Sequence, residues 1–115
     1  MSDVILKRVD GTVVCERCTL ADRPLRRMRG LLGRSGMESG EGLLLKPAGS
    51  VHTYFMRFPI DVVFLDREGV VVGITDSLVP WRAASKRGAK AVLELPAGES
   101  SRRGLAVGDR LQLAA

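Results

Sequence analysis

One segment, residues 51–66 (VHTYFMRFPIDVVFLD), constrains the fold of this chain more than any other. It contains the only histidine, the only tyrosine and all three phenylalanines of the protein. Its apolar residues are dense and rich in β-branched types, as in buried strands. Pro59 lacks a backbone N–H and marks a bend or bulge, so we expect two strand segments that meet there. Three polar residues stand out near its middle, namely His52, Arg57 and Asp61.

Short strand-like runs continue along the rest of the chain. Asp10 and Gly11 separate two β-branched runs, which is the strongest short signal for a hairpin. Residues 66–69 (DREG) are predicted to form the loop of a second hairpin, between buried runs at 60–65 and 70–74. Turn residues at this spacing predict a mainly β fold, a small barrel or sandwich of about seven or eight short strands. With 115 residues, the chain is expected to form a single domain, 1–115.

Residues 22–33 are the one segment with a convincing helical pattern. Asp22 can cap its N-terminus, and Pro24 is tolerated in its first turn. Apolar residues recur at helical spacing, namely Leu25, Met28 and Leu32. We therefore expect one α-helix at about 22–33, packed on the sheet through this apolar face.

Glu94 lies among apolar residues in a predicted strand at 89–95. A buried carboxylate needs a partner, because an unpaired charge in the protein interior is strongly unfavourable. Arg29 of the predicted helix is the natural candidate, so the sequence predicts a structural ion pair between Arg29 and Glu94.

The net charge of +5 is unevenly distributed along the chain. Two clusters contain no acidic residue: the first consists of Arg23, Arg26, Arg27, Arg29 and Arg34, and the second of Arg82, Lys86, Arg87 and Lys90. Such patches can attract nucleic acid, anionic lipid or an acidic partner, although a solvated basic face is the commoner case. A nucleic-acid-binding protein that uses Arg23, Arg26, Arg27 and Arg34 is one alternative. Against it, the aromatic side chains are expected to be buried, which leaves few for base stacking.

The two cysteines, Cys15 and Cys18, indicate a reducing compartment rather than a disulfide framework. One C-x-x-C is at most half of a zinc site, and only His52 could extend it, so no metal site is predicted. No apolar run approaches the ~20 residues of a spanning helix, and the charged start MSDVILKRVD lacks a signal-peptide core. We therefore expect a cytoplasmic protein without a membrane span. No P-loop, G-x-S-x-G or other catalytic signature is present, and no cofactor is predicted.

Four sequence motifs occur together in a recognisable order: RMRGLLGR at 27–34, VHTYFMRFPIDVVFLD at 51–66, VLELPAG at 92–98 and GLAVGDRLQL at 104–113. With them the chain resembles domain-of-unknown-function family 192, a family of small β-rich bacterial and archaeal proteins, over about residues 12–113. The resemblance implies a compact, mostly β fold with a helix packed on the sheet, and it brings no established reaction. Many relatives carry a signal peptide or a lipoprotein leader. This chain shows none and resembles the intracellular branch.

The bend at Pro59 is the predicted place for a site, since bulges at a sheet rim re-aim side chains. The candidate ligand-binding residues are His52, Arg57, Asp61 and Trp81. Structural roles are the alternative, with His52 bonded at a strand edge and Arg57 paired with Asp61 across the bend. The favoured function is a non-enzymatic ligand-binding or accessory module. An enzyme that uses His52 and Asp61 as an acid–base pair is a further alternative.

Overall fold

The computed structural model describes residues 3–21 and 34–114. The predicted helix at 22–33 lies outside these residues, and so do Arg23, Arg26, Arg27 and Arg29. The described strands, in chain order, are β1 (Asp3–Arg8), β2 (Val13–Ala21), β3 (Glu41–Leu45), β4 (Ser50–His52), β5 (Ile60–Leu65), β6 (Val71–Leu78), β7 (Ala83–Ser85), β8 (Ala91–Pro96) and β9 (Leu111–Ala114). Within the same residues one short helix, α1 (Glu99–Arg102), precedes β9. This confirms the mainly β architecture predicted from the sequence.

Seven of these strands form one sheet in the order β6-β5-β8-β3-β2-β1-β9. β2 and β3 run parallel, while the other neighbouring pairs are antiparallel. The two outer strands meet where Val70 bridges Arg110, and where the N–H of Val71 donates to the carbonyl of Asp109 at 2.8 Å. The sheet therefore closes into a small barrel, while β4 and β7 form a separate two-stranded sheet.

The first hairpin forms where Asp10 and Gly11 predict it. Gly11 adopts a φ of 94°, which glycine reaches without steric cost. The Asp10 carboxylate accepts hydrogen bonds from the backbone N–H and the hydroxyl of Thr12 at 2.9 and 2.7 Å. The turn is thus fixed locally, and β1 and β2 pair antiparallel on either side of it.

Both faces of the central strands pack against apolar side chains. All six residues of β5 are buried, as are the first five of β8. Alternate residues divide between two apolar clusters, one around Val63 and Leu93 and the other around Val62 and Phe64. The predicted burial of β5 is confirmed. The predicted full burial of 70–74 is wrong, because β6 is an outer strand and much of it is only half-buried.

Cys15 and Cys18 both lie in β2 and are fully buried. Cys15 pairs with Leu6 and Cys18 with Val4, so two steps along β1 correspond to three along β2. The extra residue is a β-bulge, and it turns both side chains into the same apolar cluster. A hydrogen bond from Cys18 is the largest cause of a lowered pKa of the Cys15 thiol. The two thiols therefore lie together in the core without a disulfide.

Glu94 of β8 is only 5% exposed. It lies opposite Leu43 of β3 and Val62 of β5, so it shares their face of the sheet. Burial raises the pKa of its carboxyl to about 7, because desolvation penalises the charged form. Its predicted partner, Arg29, lies outside the described residues, and the ion pair between them stays a prediction.

No helix among residues 3–21 and 34–114 has the length and apolar character that crossing a membrane requires. The cytoplasmic location stays a prediction from the sequence. The same holds for the organisation of residues 1–115 as a single domain.

We expect Gly42→Ala to destabilise the fold, because the new Cβ would lie 2.7 Å from the Cys15 sulfur and 3.1 Å from Cδ2 of Leu95. Overpacking of this kind lowers the free energy of unfolding by about 1–3 kcal/mol. Urea unfolding measures the loss, and Gly36→Ala is the matched control because nothing lies within 4 Å of its added Cβ. Combining Gly42→Ala with Cys15→Ala should recover part of the loss. If the changes in the free energy of unfolding of the two single variants simply add in the double variant, the Cys15 sulfur is not the group that clashes with the new Cβ.

We expect Glu94 to make the stability of the fold depend on pH. Its folded-state pKa of about 7 exceeds the ordinary 4.5, so its stabilising contribution is complete below pH 4.5 and is lost as the pH rises through 7. That loss amounts to about 3 kcal/mol, and Glu94→Gln should remove it. Chemical unfolding near the two ends of this pH range measures the change, with the exposed Glu68→Gln as control. An ion pair between Arg29 and ionised Glu94 would instead make Glu94→Gln the less stable protein at high pH.

Candidate functional site

The small sheet of β4 and β7 positions a surface that carries most of the predicted site residues. The two strands are antiparallel, with Val51 opposite Ala84 and His52 opposite Ala83. The chain leaves β4 into the segment 53–59 and enters β7 from the segment that contains Trp81. Both segments therefore emerge at the same end of this sheet, and their side chains meet there.

Thr53 ties the two segments together. It is fully buried, and its hydroxyl donates to the carbonyl of Val79 at 2.7 Å and accepts the N–H of Arg82 at 2.9 Å. Its carbonyl accepts the N–H of Trp81 at 3.0 Å and of Met56 at 3.2 Å. A threonine between two strand-like residues gives no signal in the sequence, so sequence analysis missed this anchor.

Four rings lie together on this surface, which we call the aromatic face: His52, Tyr54, Phe55 and Trp81. His52 stacks on Tyr54 with ring centroids 4.8 Å apart, and Tyr54 stacks on Trp81 at 6.0 Å. Phe55 lies tilted against Trp81 at 4.7 Å. Tyr54, Phe55 and Trp81 are 42%, 71% and 55% exposed, so the expectation that the aromatic side chains are buried is wrong for these three.

Two of these rings are held by strained backbone. Phe55 and Trp81 both adopt a φ of 66°, and Ser77 is the third described residue other than glycine with a positive φ. A left-handed conformation at such residues costs roughly 1–3 kcal/mol each. Phe55 and Trp81 are exposed, so packing in the core does not account for their conformation. Backbone strain at two neighbouring exposed residues is typical of functional sites and points to a functional role for this surface.

A shallow groove runs beside His52 and Tyr54. Its volume is about 460 Å³, and small residues of β4 and β7 form much of its wall: Ser50, Ala83, Ala84 and Ser85. The short side chains leave room beside the His52 and Tyr54 rings. A flat group of ligand size therefore has room to lie next to the aromatic face.

The chain segments that form the small sheet and its loops carry only positive charge. The segments 50–60 and 79–90 contain no aspartate or glutamate, and their cationic residues are Arg57, Arg82, Lys86, Arg87 and Lys90. All five are exposed, and within the described part of the chain none of them takes part in an ion pair. Arg82 donates to the backbone carbonyl of Trp81 at 3.2 Å, which holds its guanidinium beside the chain segment that carries that ring.

Asp61 has a different environment from the other candidate residues. Its buried carboxylate accepts the N–H groups of Ser77 and Gly98 on Oδ1 and both the N–H and the hydroxyl of Ser100 on Oδ2, at 2.6–3.1 Å. Burial acts to raise the pKa of this carboxyl, but hydrogen bonds from Ser100, Ser77 and Gly98 outweigh it and hold the pKa below the ordinary value. The carboxylate is therefore engaged in joining β5 to the ends of β6 and β8.

The structure thus brings together His52 and Trp81, with Arg57 exposed in the loop between β4 and β5. It does not join Asp61 to them, because neither His52 nor Arg57 is among the hydrogen-bond partners of Asp61 in residues 3–21 and 34–114. The proposed acid–base pair and the proposed ion pair across the bend are therefore not formed.

Arg34 is the one member of the predicted nucleic-acid set that the structure describes. Its guanidinium binds the carboxylate of Glu41 at 3.0 Å. The hydrogen bond and the charge of Arg34 contribute to a lowered pKa of Glu41, behind a larger contribution from the backbone N–H of Glu38. Arg23, Arg26 and Arg27 lie outside the described residues.

The fold and the surface define a class: a small closed β-sheet with an appended two-stranded sheet that exposes an aromatic, cationic face. Residues 5–113 match the family DUF192, described as "Uncharacterized ACR, COG1430". The chain belongs to this family, as its sequence resemblance indicated.

Three archaeal relatives, all described as UPF0127 proteins, agree with this placement. The relative from Thermococcus sibiricus is 30% identical over 113 residues, which cover 94% of this chain and 73% of that protein. Those from Pyrococcus abyssi and Pyrococcus furiosus are 42% and 47% identical over 64 residues. The latter two alignments span 55% of this chain and 54% of each relative, about half of either length.

Two crystal structures share the fold. A protein of unknown function from Novosphingobium aromaticivorans aligns with a TM-score of 0.81 at 24% identity, over 96% of this chain and 83% of that chain. A protein from Sinorhizobium meliloti, described as a putative transcription regulator, aligns with a TM-score of 0.83 at 27% identity, over 98% and 96% of the two chains. The closed sheet and the appended strands are therefore a recurring architecture.

We expect Asp61 and His52 to respond very differently to substitution. Asp61→Asn should lower the free energy of unfolding by roughly 3 kcal/mol, because an amide nitrogen would face donors that now bind a carboxylate oxygen. His52→Ala should change it by no more than about 0.5 kcal/mol, since the ring is exposed. The Asp61 contribution is present above pH 3.8 and disappears as the pH falls further, because its folded pKa is depressed. Chemical denaturation measures both variants, and a loss with His52→Ala as large as that with Asp61→Asn would contradict the expectation.

Proposed function

We propose that this protein is a non-enzymatic binding module whose aromatic face binds a ligand that carries a flat ring and a negative charge. The observation that carries the proposal is the placement of Tyr54, Phe55 and Trp81. These rings lie on the surface, in contact with one another, although a small protein with few aromatics has reason to bury them. His52, Arg57 and Trp81 keep the ligand-binding role predicted for them, and Asp61 has a structural one.

The energetics favour binding to a preformed surface. Removing exposed apolar area from water contributes roughly 25 cal/mol per Å², and the three rings leave a large part of their area exposed. Thr53 fixes the loops that carry Phe55 and Trp81 before any ligand arrives. A ligand therefore binds without first ordering the site, which lowers the entropic cost of association.

The positive charges near the rings favour a negatively charged ligand. Arg57 and Arg82 are exposed, and neither has a carboxylate partner in the described residues. A guanidinium without a partner can bind carboxylate or phosphate with two parallel hydrogen bonds. A cationic ligand would meet repulsion from the same groups, so an anionic ring compound fits this surface best.

Nucleic-acid binding is a second candidate, and one comparison favours it. The structure from Sinorhizobium meliloti that shares the fold is described as a putative transcription regulator. For this chain, the sequence predicts nucleic-acid binding through four arginines, namely Arg23, Arg26, Arg27 and Arg34. Arg34 is paired with Glu41, which makes it a weaker contact for phosphate, while the exposed rings supply the stacking groups that the sequence analysis had not expected.

Trp81 provides the test, because it is the only tryptophan and its fluorescence reports on the aromatic face. We expect saturable quenching on titration with ring-bearing anions, for which the four nucleoside monophosphates, salicylate and indole-3-acetate are suitable probes. Tyr54→Ala and Arg57→Ala should each weaken binding of the responsive probe by about tenfold. Val107→Ala, an exposed apolar residue in the turn before β9, is the control. If none of the probes quenches Trp81 in a saturable way, the proposal is wrong.

A further inference from the structure

We propose that the ligand of the aromatic face is single-stranded nucleic acid, an inference that rests on the proposed function and names its ligand class. Two requirements of such a ligand are met by one surface. Bases need exposed rings on which to stack, and the phosphate backbone needs several cations beside them. The rings of the aromatic face supply the first, and Arg57 and Arg82, in the loops that carry these rings, supply cations beside them.

The stacking geometry suits bases. The rings of His52, Tyr54 and Trp81 form a column, with interplanar angles of 21° and 28° between successive rings. The ends of such a column present flat faces on which a base extends the stack, and every base has such a face irrespective of its identity. Phe55 lies tilted by 59° against Trp81, with ring centroids 4.7 Å apart, and adds a further exposed ring beside the column.

The cations extend beyond the reach of a single nucleotide. Arg57 and Arg82 lie in the loops that carry the rings, whereas Lys86 and Arg87 lie past the far end of β7, where the carbon chain of Lys86 packs over Gly73 of β6. A mononucleotide has one phosphate group and can use only some of these charges. A strand of several nucleotides can place phosphates against more of them and release more counterions.

The same features disfavour other occupants. In duplex DNA or RNA each base is covered by its neighbours, so it cannot stack on the column without being unpaired. A second copy of this chain that docked through the same face would bring its own Arg57 and Arg82 against these cations, and like charges at an interface oppose association. Single-stranded nucleic acid has accessible bases and a negative charge, so neither base pairing nor like-charge repulsion opposes its binding.

No base-edge recognition is evident at this surface. In the part of the chain that the structure describes, the groove beside His52 and Tyr54 is lined largely by the small side chains of Ser50, Ala83, Ala84 and Ser85. Stacking and charge act on every nucleotide, so the inference includes weak dependence on base sequence.

Fluorescence anisotropy with labelled eight-nucleotide strands tests the inference on the full-length chain. We expect an oligothymidylate and an oligouridylate to bind at least tenfold more tightly than the corresponding mononucleotides, and a duplex of the same length to bind much more weakly. If only one of the two strands binds, that result identifies DNA or RNA as the source of the ligand and still supports the inference. The logarithm of the binding constant should fall with the logarithm of salt concentration with a slope of about −2 to −3, which corresponds to three or four phosphates.

Variants separate stacking from charge. Trp81→Asn removes the ring and keeps a residue that tolerates the left-handed backbone, and it should weaken strand binding about tenfold while leaving the salt slope unchanged. The double change Lys86→Ala and Arg87→Ala should reduce the slope by about one and leave quenching of Trp81 in place. Arg67→Ala, an exposed arginine of the loop between β5 and β6, is the charge control and should alter neither. Should Trp81→Asn lose the fold in thermal unfolding, Tyr54→Ala provides the stacking test.

The outcomes also separate this inference from the proposed function. If mononucleotides quench Trp81 but strands bind no more tightly, the binding module stands and nucleic acid is not its ligand. If strands bind, but inorganic polyphosphate binds equally well and Trp81→Asn has no effect, the interaction is purely electrostatic and the inference fails. Dimers in sedimentation velocity that disappear in Trp81→Asn would assign the aromatic face to self-association and overturn the inference.

Discussion

The buried carboxylate of Asp61 is the interaction on which the rest of this end of the sheet depends. It receives hydrogen bonds from Ser77 at the end of β6, from Gly98 after β8 and from Ser100 in α1. The end of β6 and the segment after β8 therefore converge on one residue of β5. A charged group with this many donors is well solvated by the protein itself, which is why it remains ionised in a buried position.

The closed sheet and the aromatic face divide stability and binding between them. The closed sheet buries apolar residues on both faces of its central strands and provides a rigid base. The aromatic face lies on loops of the appended sheet, which the hydrogen bonds of Thr53 join to each other. Loops held by a rigid scaffold are the usual position for binding residues. The rings can thus be exposed without weakening the closed sheet.

The sequence indicated the fold better than it indicated the surface. Local turn chemistry at Asp10 and Gly11 and the apolar density of β5 were sufficient for a mainly β prediction, because each depends on neighbouring residues alone. The exposure of Tyr54 and Phe55 could not be predicted in the same way. Rings next to a buried strand resemble core residues, and their orientation here depends on a left-handed φ at Phe55 and on Thr53, which bonds to a segment distant in the chain. His52 and Trp81 were identified because each is unique in the composition, whereas their contact through Tyr54 is a tertiary feature.

The pairing of β1 with β9 has a consequence for how the chain is made. Ile5 lies opposite Ala114, so β1 is synthesised more than one hundred residues before its partner β9. At roughly 5–20 residues per second, an unpaired edge of β1 and the facing edge of β6 remain open for several seconds on the ribosome. Exposed strand edges are templates for pairing with other chains. In the folded protein the outer strands β6 and β9 are joined. During synthesis the same sheet has exposed strand edges, so at that stage it depends on rapid completion or on protection by other factors.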